Sequence, residues 1–199
     1  MIGTTLATTL ALAVVAAADA PGPLALLQGK AEAVKALMGR PPDAARAATL
    51  RELVASVVDY GELARDAIKG HWDGRTEAER TEFRDLLKRL VEKSYLENVE
   101  RRPNFTVDWR LEKLLDDGTR AKVTTLATGA PAKGAAAGAT LEIEYRLVRR
   151  ETAPQGWIVA DVVIDDVSMV RNYRRSFGKI IDKDGFAALL AKMKDKLAQ

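Results

Sequence analysis

The residues able to do chemistry are few, and they are poorly spaced for it. His71 is the only histidine in the 199-residue chain, and there is no cysteine. Without cysteine, disulfides, thiol catalysis and cysteine-ligated metals are excluded. His71 can act as a general base, because imidazole titrates near neutral pH. Beside Trp72, at the end of a helical stretch, it also reads as a helix-end or surface histidine. Ser168 has no triad around it, since the single histidine lies in a distant segment. Asp161, Asp165 and Asp166 raise the question of a metal. Strand alternation sends Asp165 and Asp166 to opposite faces, however, and no EF-hand spacing is present, so solvated or capping carboxylates are expected. Asp161 sits amid apolar residues, which makes it the best candidate for a catalytic acid of an isomerase or dehydratase. No metal and no cofactor is expected.

The remaining charge points to no nucleic-acid partner. Lys and Arg number 31 against 28 Asp and Glu, and the arginine pairs Arg101-Arg102, Arg149-Arg150 and Arg174-Arg175 are short and scattered. This is a solvated surface of both signs, or one weakly drawn to anionic head groups or an acidic partner. At 47% hydrophobic residues the chain has enough apolar matter for one folded domain and too much for disorder.

The elements that must position these residues follow from periodicity. Leu27, Ala31, Val34, Leu37 and Met38 recur at helical spacing and predict a helix from about Leu24 to Met38, stopped by Gly39. Asp43 can cap a second helix striped by Leu50, Leu53, Val54, Val57 and Val58. After a bend at Asp59, Tyr60 and Gly61, a short helix carries Leu63, Ala64, Ala67 and Ile68. Thr76 and Glu79 form a capping box at the head of a long amphipathic helix with Phe83, Leu86, Leu87, Leu90, Val91 and Tyr95 on one face. Beyond Pro103 the period falls to two. Four strands are predicted: one through Phe105, Val107, Trp109 and Leu111, one from about Arg120 to Thr128, one with Leu141, Ile143, Tyr145 and Leu147 on one face, and Trp157 to Ile164, apolar on both faces. The segment GAPAKGAAAG (129–138) reads as a hairpin loop. Two helices close the chain, one striped by Val170, Tyr173, Phe177 and Ile180, the other by Phe186, Leu189, Leu190, Met193 and Leu197. Helices, then strands, then helices is an α+β order, an antiparallel meander covered on one face.

Residues 1–20 read as a secretory signal peptide. Their apolar stretch, Leu10 to Ala18, is too short to span a bilayer, and it precedes small residues suited to cleavage after Ala18 or Ala20. Residues 21–199 then form a single domain.

Several motifs occur together and in order. D-Y-x3-A-R-x6-W is present as Asp59, Tyr60, Ala64, Arg65 and Trp72. T-x2-E-R-x2-F follows as Thr76, Glu79, Arg80 and Phe83, and the helix continues through Leu87, Val91, Ser94 and Tyr95. Gly156, Trp157, Val159, Asp161 and Val162 make G-W-x-V-x-D-V, which leads into D-V-S-M-V-R-N-Y-R-R-S-F from Asp166 to Phe177 and then to Asp184-Gly185-Phe186. Along nearly the whole of the mature chain this resembles the Mla-type (maintenance of lipid asymmetry), or toluene-tolerance, family. Lys69 and Asp166 depart from it, since the family usually has glycine at both places.

The resemblance implies a curved antiparallel sheet of about four strands with helices over its concave face, like nuclear transport factors, and an apolar cavity between the layers. It implies a non-enzymatic periplasmic carrier of phospholipid. The partners it implies are an inner-membrane lipid ABC transporter with its lipid-binding ring protein and an outer-membrane lipoprotein complex. A hopanoid or other lipid carrier, a small enzyme on the same fold and a solid-core protein adaptor remain the alternatives, because apolar stripes describe a cavity wall and a filled core equally well. The cavity wall is expected from Leu87, Val91 and Tyr95 on the long helix, from Val123, Ile143, Tyr145 and Val162 on the strands, and from Val167 and Val170 at the handover to the next helix.

Overall fold

The computed structural model describes residues 21–101, 105–129, 140–153 and 155–199. The expected leader (1–20) and all of the GAPAKGAAAG segment after Gly129 lie outside the described residues. Four helices come first: α1 (Pro23–Met38), α2 (Ala44–Ala55), α3 (Tyr60–Ala67) and α4 (Glu77–Arg101). Their starts are fixed by side chains that accept from otherwise unpaired backbone N–H groups. Asp43 accepts from Arg46 N at 2.7 Å and Asp59 from Glu62 N at 2.9 Å. At the head of α4, Glu79 N donates to the Thr76 hydroxyl at 3.2 Å and Thr76 N to the Glu79 carboxylate at 2.8 Å, the predicted capping box. The first turn of α1 has a partner from the sheet, where Glu112 accepts from Leu24 N at 2.9 Å.

The sheet is an antiparallel meander in sequence order: β1 (Phe105–Leu115), β2 (Arg120–Gly129), β3 (Thr140–Arg149), β4 (Trp157–Ile164) and β5 (Val167–Ser168). It has five strands where four were expected. The fifth is two residues long, too short for a period of two to register in the sequence. It arises because Asp165 and Asp166, expected to continue the alternation, instead take left-handed backbone angles (φ 45° and 65°) and turn the chain back. That region of backbone space is why glycine suits position 166, and aspartate is among the side chains that tolerate it best. Lys69, the other departure, has no positive φ. Register slips between Trp109 and Leu111 and between Arg146 and Leu147 insert extra residues that curve the sheet.

Helices α5 (Met169–Asp184) and α6 (Phe186–Ala198) follow. The outer face of the sheet is polar. Glu144 pairs with Lys122 and, at 2.7 Å, with Arg146, which also reaches Asp161 at 3.5 Å. The inner face meets α1. Leu26 and Leu27 bury against Ala121, Val123, Leu147, Trp157 and Val159. The loop between α2 and α3 is stitched to the free edge of β4, with Val159 N donating to Val57 O at 2.7 Å.

Candidate functional site

The apolar interior is divided into three clusters, where a domain of this size ordinarily has one contiguous core. Phe83, Leu86 and Leu87 of α4 join Ala64 and Ala67 of α3 and Phe186, Leu189 and Met193 of α6 in the first. The second lies between α1 and the sheet. The third joins Val34 and Leu37 of α1, Leu50 of α2, and Leu96 and Val99 of α4. Partly buried apolar residues pack on the margins of each cluster: Val91 and Tyr173 on the first, Val57, Tyr145 and Val162 on the second, and Leu53 and Tyr95 on the third. The longest helix, α4, packs mainly on α2, α3 and α6, and near its end Leu96 and Val99 join a cluster with Phe105 of β1. The seam lies where α4 meets the inner face of the sheet.

All four tyrosines of the chain are partly buried, and burial is the first influence on each phenol. Burial pushes the Tyr95 phenol far above its ordinary value, and the neighbouring Tyr145 phenol adds to the effect. Tyr145 and Tyr173 are also pushed up by burial. Tyr60 is raised by burial first, then by the Glu92 carboxylate, and also by Tyr173. Among the described residues the hydroxyls of Tyr95, Tyr145 and Tyr173 make no hydrogen bond. The Tyr60 hydroxyl is sealed off without a partner in hydrogen-bond geometry.

The expected wall residues lie on α4, on the sheet and at the start of α5. Tyr145 stands in register between Val123 and Val162, and Ile143 lies two residues along beside Ile164. Tyr95 and Val91 belong to the facing α4. Leu87 and Val123 are 0% exposed and form solid packing behind the seam. Val170 is buried in the first turn of α5. Val167 is 55% exposed, on the edge strand opposite Ile164. Tyr60, Leu53, Val57 and Tyr173 were not on the expected wall. Leu53, Val57 and Tyr173 each belong to a helical stripe read from the sequence, which does not say which cluster a residue joins, and Tyr60 falls at the predicted bend.

The candidate catalytic groups are accounted for structurally. Asp161 points from the outer face of the sheet. It accepts from the Ser168 hydroxyl at 2.7 Å and from Val170 N at 3.1 Å, so it helps to cap α5, and Ser168 in turn accepts from Arg171 N at 3.1 Å. His71 lies 3.5 Å from the Asp182 carboxylate and ties the turn after α3 to α5. Asp165 accepts from Glu142 N at 3.1 Å. An open, charged depression lined by Glu77, Glu82, Asp85, Arg89 and Lys194 involves none of the seam residues. Among the described residues, no helix is long and apolar enough to cross a membrane.

A curved antiparallel sheet, helices packed largely on one another and an apolar seam between the layers define an α+β protein built around an internal apolar contact. The MlaC protein family profile matches residues 31–195, and the chain belongs to that family. Its fold is similar to that of the phospholipid-binding protein from Ralstonia solanacearum solved in complex with a phospholipid. The TM-score is 0.71 at 20% identity, over 90% of this chain and 98% of that one. A sequence comparison with curated proteins gives no significant match.

Proposed function

We propose that this chain is a periplasmic carrier that takes phospholipid acyl chains into the seam between α4 and the sheet. The observation that carries this reading is an interior in three clusters with partly buried apolar residues at their margins. Membership of the MlaC family and the phospholipid held by the similarly folded Ralstonia protein support it. Val91, Tyr95, Ile143, Tyr145 and Val162 contact the chains, Val167 stands at the rim, and Leu87, Val123 and Val170 back the wall.

The energetics require a hand-over. Each buried methylene contributes about 0.8 kcal/mol, so two long chains amount to on the order of 20 kcal/mol. Such a ligand does not escape into water on a useful timescale. Cargo therefore passes in contact with partners, here an outer-membrane lipoprotein complex and the ring protein of an inner-membrane ABC transporter, and so maintains outer-membrane lipid asymmetry. Export is assigned to the leader in residues 1–20.

No catalysis is needed. The enzyme alternative relied on Asp161 as an acid in an apolar pocket, and Asp161 is instead hydrogen-bonded on the opposite face. Organic extraction of the purified protein, followed by mass spectrometry, tests the reading. A stoichiometric phospholipid is expected. A hopanoid in the extract would shift the cargo class, and a lipid-free extract from folded protein would overturn the carrier.

A further inference from the structure

We propose that the outward face of α5 docks on an anionic phospholipid bilayer through a row of cations, Arg171, Arg175, Lys179 and Lys183. The inference goes beyond the carrier reading to the surface where cargo is taken up or left. Its test reads attachment to that surface, separately from lipid uptake.

The four residues are spaced by four along α5, and all are exposed. On a helix that spacing stacks them in a row that winds slowly over about 18 Å. Like charges at this spacing repel one another, so the row gains from an external anion. Among the described residues none of the four has a carboxylate partner. Arg175 touches only the Asn172 side-chain oxygen, at 3.4 Å. The other cation of the helix, Arg174, lies 3.8 Å from the Asp66 carboxylate of α3, and Asp184 is held by Lys192 at 2.7 Å. On α4 the arrangement is different. There Arg80, Lys88 and Arg101 lie within 3.9 Å of Glu77, Glu92 and Glu97 on the same helix. Helix α3 packs on α5 and adds Arg65 and Lys69, which are exposed and likewise without a carboxylate among the described residues. Against these six cations stand Asp166, exposed on the turn ahead of α5, and Asp182, which lies 3.5 Å from His71.

This face suits a bilayer better than a folded partner. A specific protein interface centres on a buried aromatic or aliphatic anchor, whereas the uncharged residues exposed along α5 are Asn172 and Ser176. Cations without an apolar anchor recognise charge density and not sequence, and an anionic headgroup layer supplies charge density. Val167, 55% exposed, stands four residues ahead of Arg171, at the rim assigned to the cargo. Docking through the row sets that rim against the headgroup layer.

Vesicle sedimentation tests the inference. Purified protein is mixed with vesicles of phosphatidylcholine and, in parallel, with vesicles of equal parts phosphatidylcholine and phosphatidylglycerol. The parent should attach to the anionic vesicles alone, and added salt should release it. Each cation near an anionic surface contributes about fivefold, so Arg175→Gln with Lys179→Gln should weaken attachment about 25-fold. Arg51→Gln with Arg101→Gln removes the same charge from α2 and from the end of α4, and should change attachment by about twofold at most. Melting temperatures should stay at the parent's value in both double variants. Equal attachment to the two kinds of vesicle, equal losses in the two double variants, or a parent that stays in the supernatant overturns the inference. Retention of such a parent on immobilised polyglutamate would assign the row to an acidic protein, which overturns it as well. The organic extract of the same protein answers for the carrier reading independently of all these outcomes.

Discussion

The helical cluster around Phe83 and the seam beside Tyr145 are both lined by large apolar side chains, yet they are built to different standards. In the cluster, Phe83 meets Phe177 edge-on at 5.8 Å and Phe186 at 6.0 Å, and Leu87 and Leu189 are sealed from solvent. At the seam, Tyr95, Tyr145 and Val162 are only half-buried, and α4 packs mainly on other helices. Four helices locked to one another hold the fold, so the contact between α4 and the sheet need not. A region relieved of structural duty can part around a ligand without unfolding the rest.

Substitution can break that comparison. The largest effect is expected from Leu87→Ala, which leaves a cavity in the sealed cluster and should cost about 3 kcal/mol or more. Val162→Ala at the seam should cost about 1 kcal/mol, because the removed methyls were already partly hydrated. Urea unfolding of the two variants measures the difference, and equal losses would mean that the seam is ordinary core. Val167→Glu sharpens the rim. At 55% exposure the new carboxylate reaches water, so the melting temperature should move by no more than a few degrees. The lipid recovered in an organic extract should nevertheless fall severalfold if this edge borders the entry. A full complement of lipid would remove Val167 from the site.

The smallest effect belongs to the polar face away from the seam. Burial alone would raise the pKa of Glu144, but hydrogen bonds from Lys122 and Arg146 outweigh it and hold the carboxyl below its ordinary value. The folded protein therefore binds this proton less readily than the unfolded chain. Its contribution to stability is complete above the unfolded pKa of about 4.3 and is lost as pH falls through the folded value. Glu144→Gln should flatten the stability profile below about pH 4.3 and leave lipid content unchanged. An acid limb as steep as the parent's would assign the loss to other carboxylates.

Most of the secondary structure was legible because it rests on local signals. The cap at Thr76 and Glu79 and the alternation through Ile143 and Tyr145 each need only a few neighbouring residues. The wall was legible in part. Periodicity says which face of α4 is apolar, and so names Leu87, Val91 and Tyr95 together. It does not say that the first packs against α6 while the third faces the sheet. Asp161 looked interior because β4 is apolar on both sides. Only the chain reversal at Asp165 and Asp166, which alternation does not reveal, brings Ser168 and the first turn of α5 to it as partners.

That return has a mechanical consequence. One carboxylate, Asp161, holds both the hydroxyl of Ser168 and the N–H of Val170, so the first turn of α5 is bolted to the sheet. Arg174 extends the bolt to α3 by donating to Asp66 O at 2.8 Å, and Val159 holds the loop before α3 at Val57. The β4 edge, α3 and α5 are thus tied to one another, so a displacement of any one of them strains the other two.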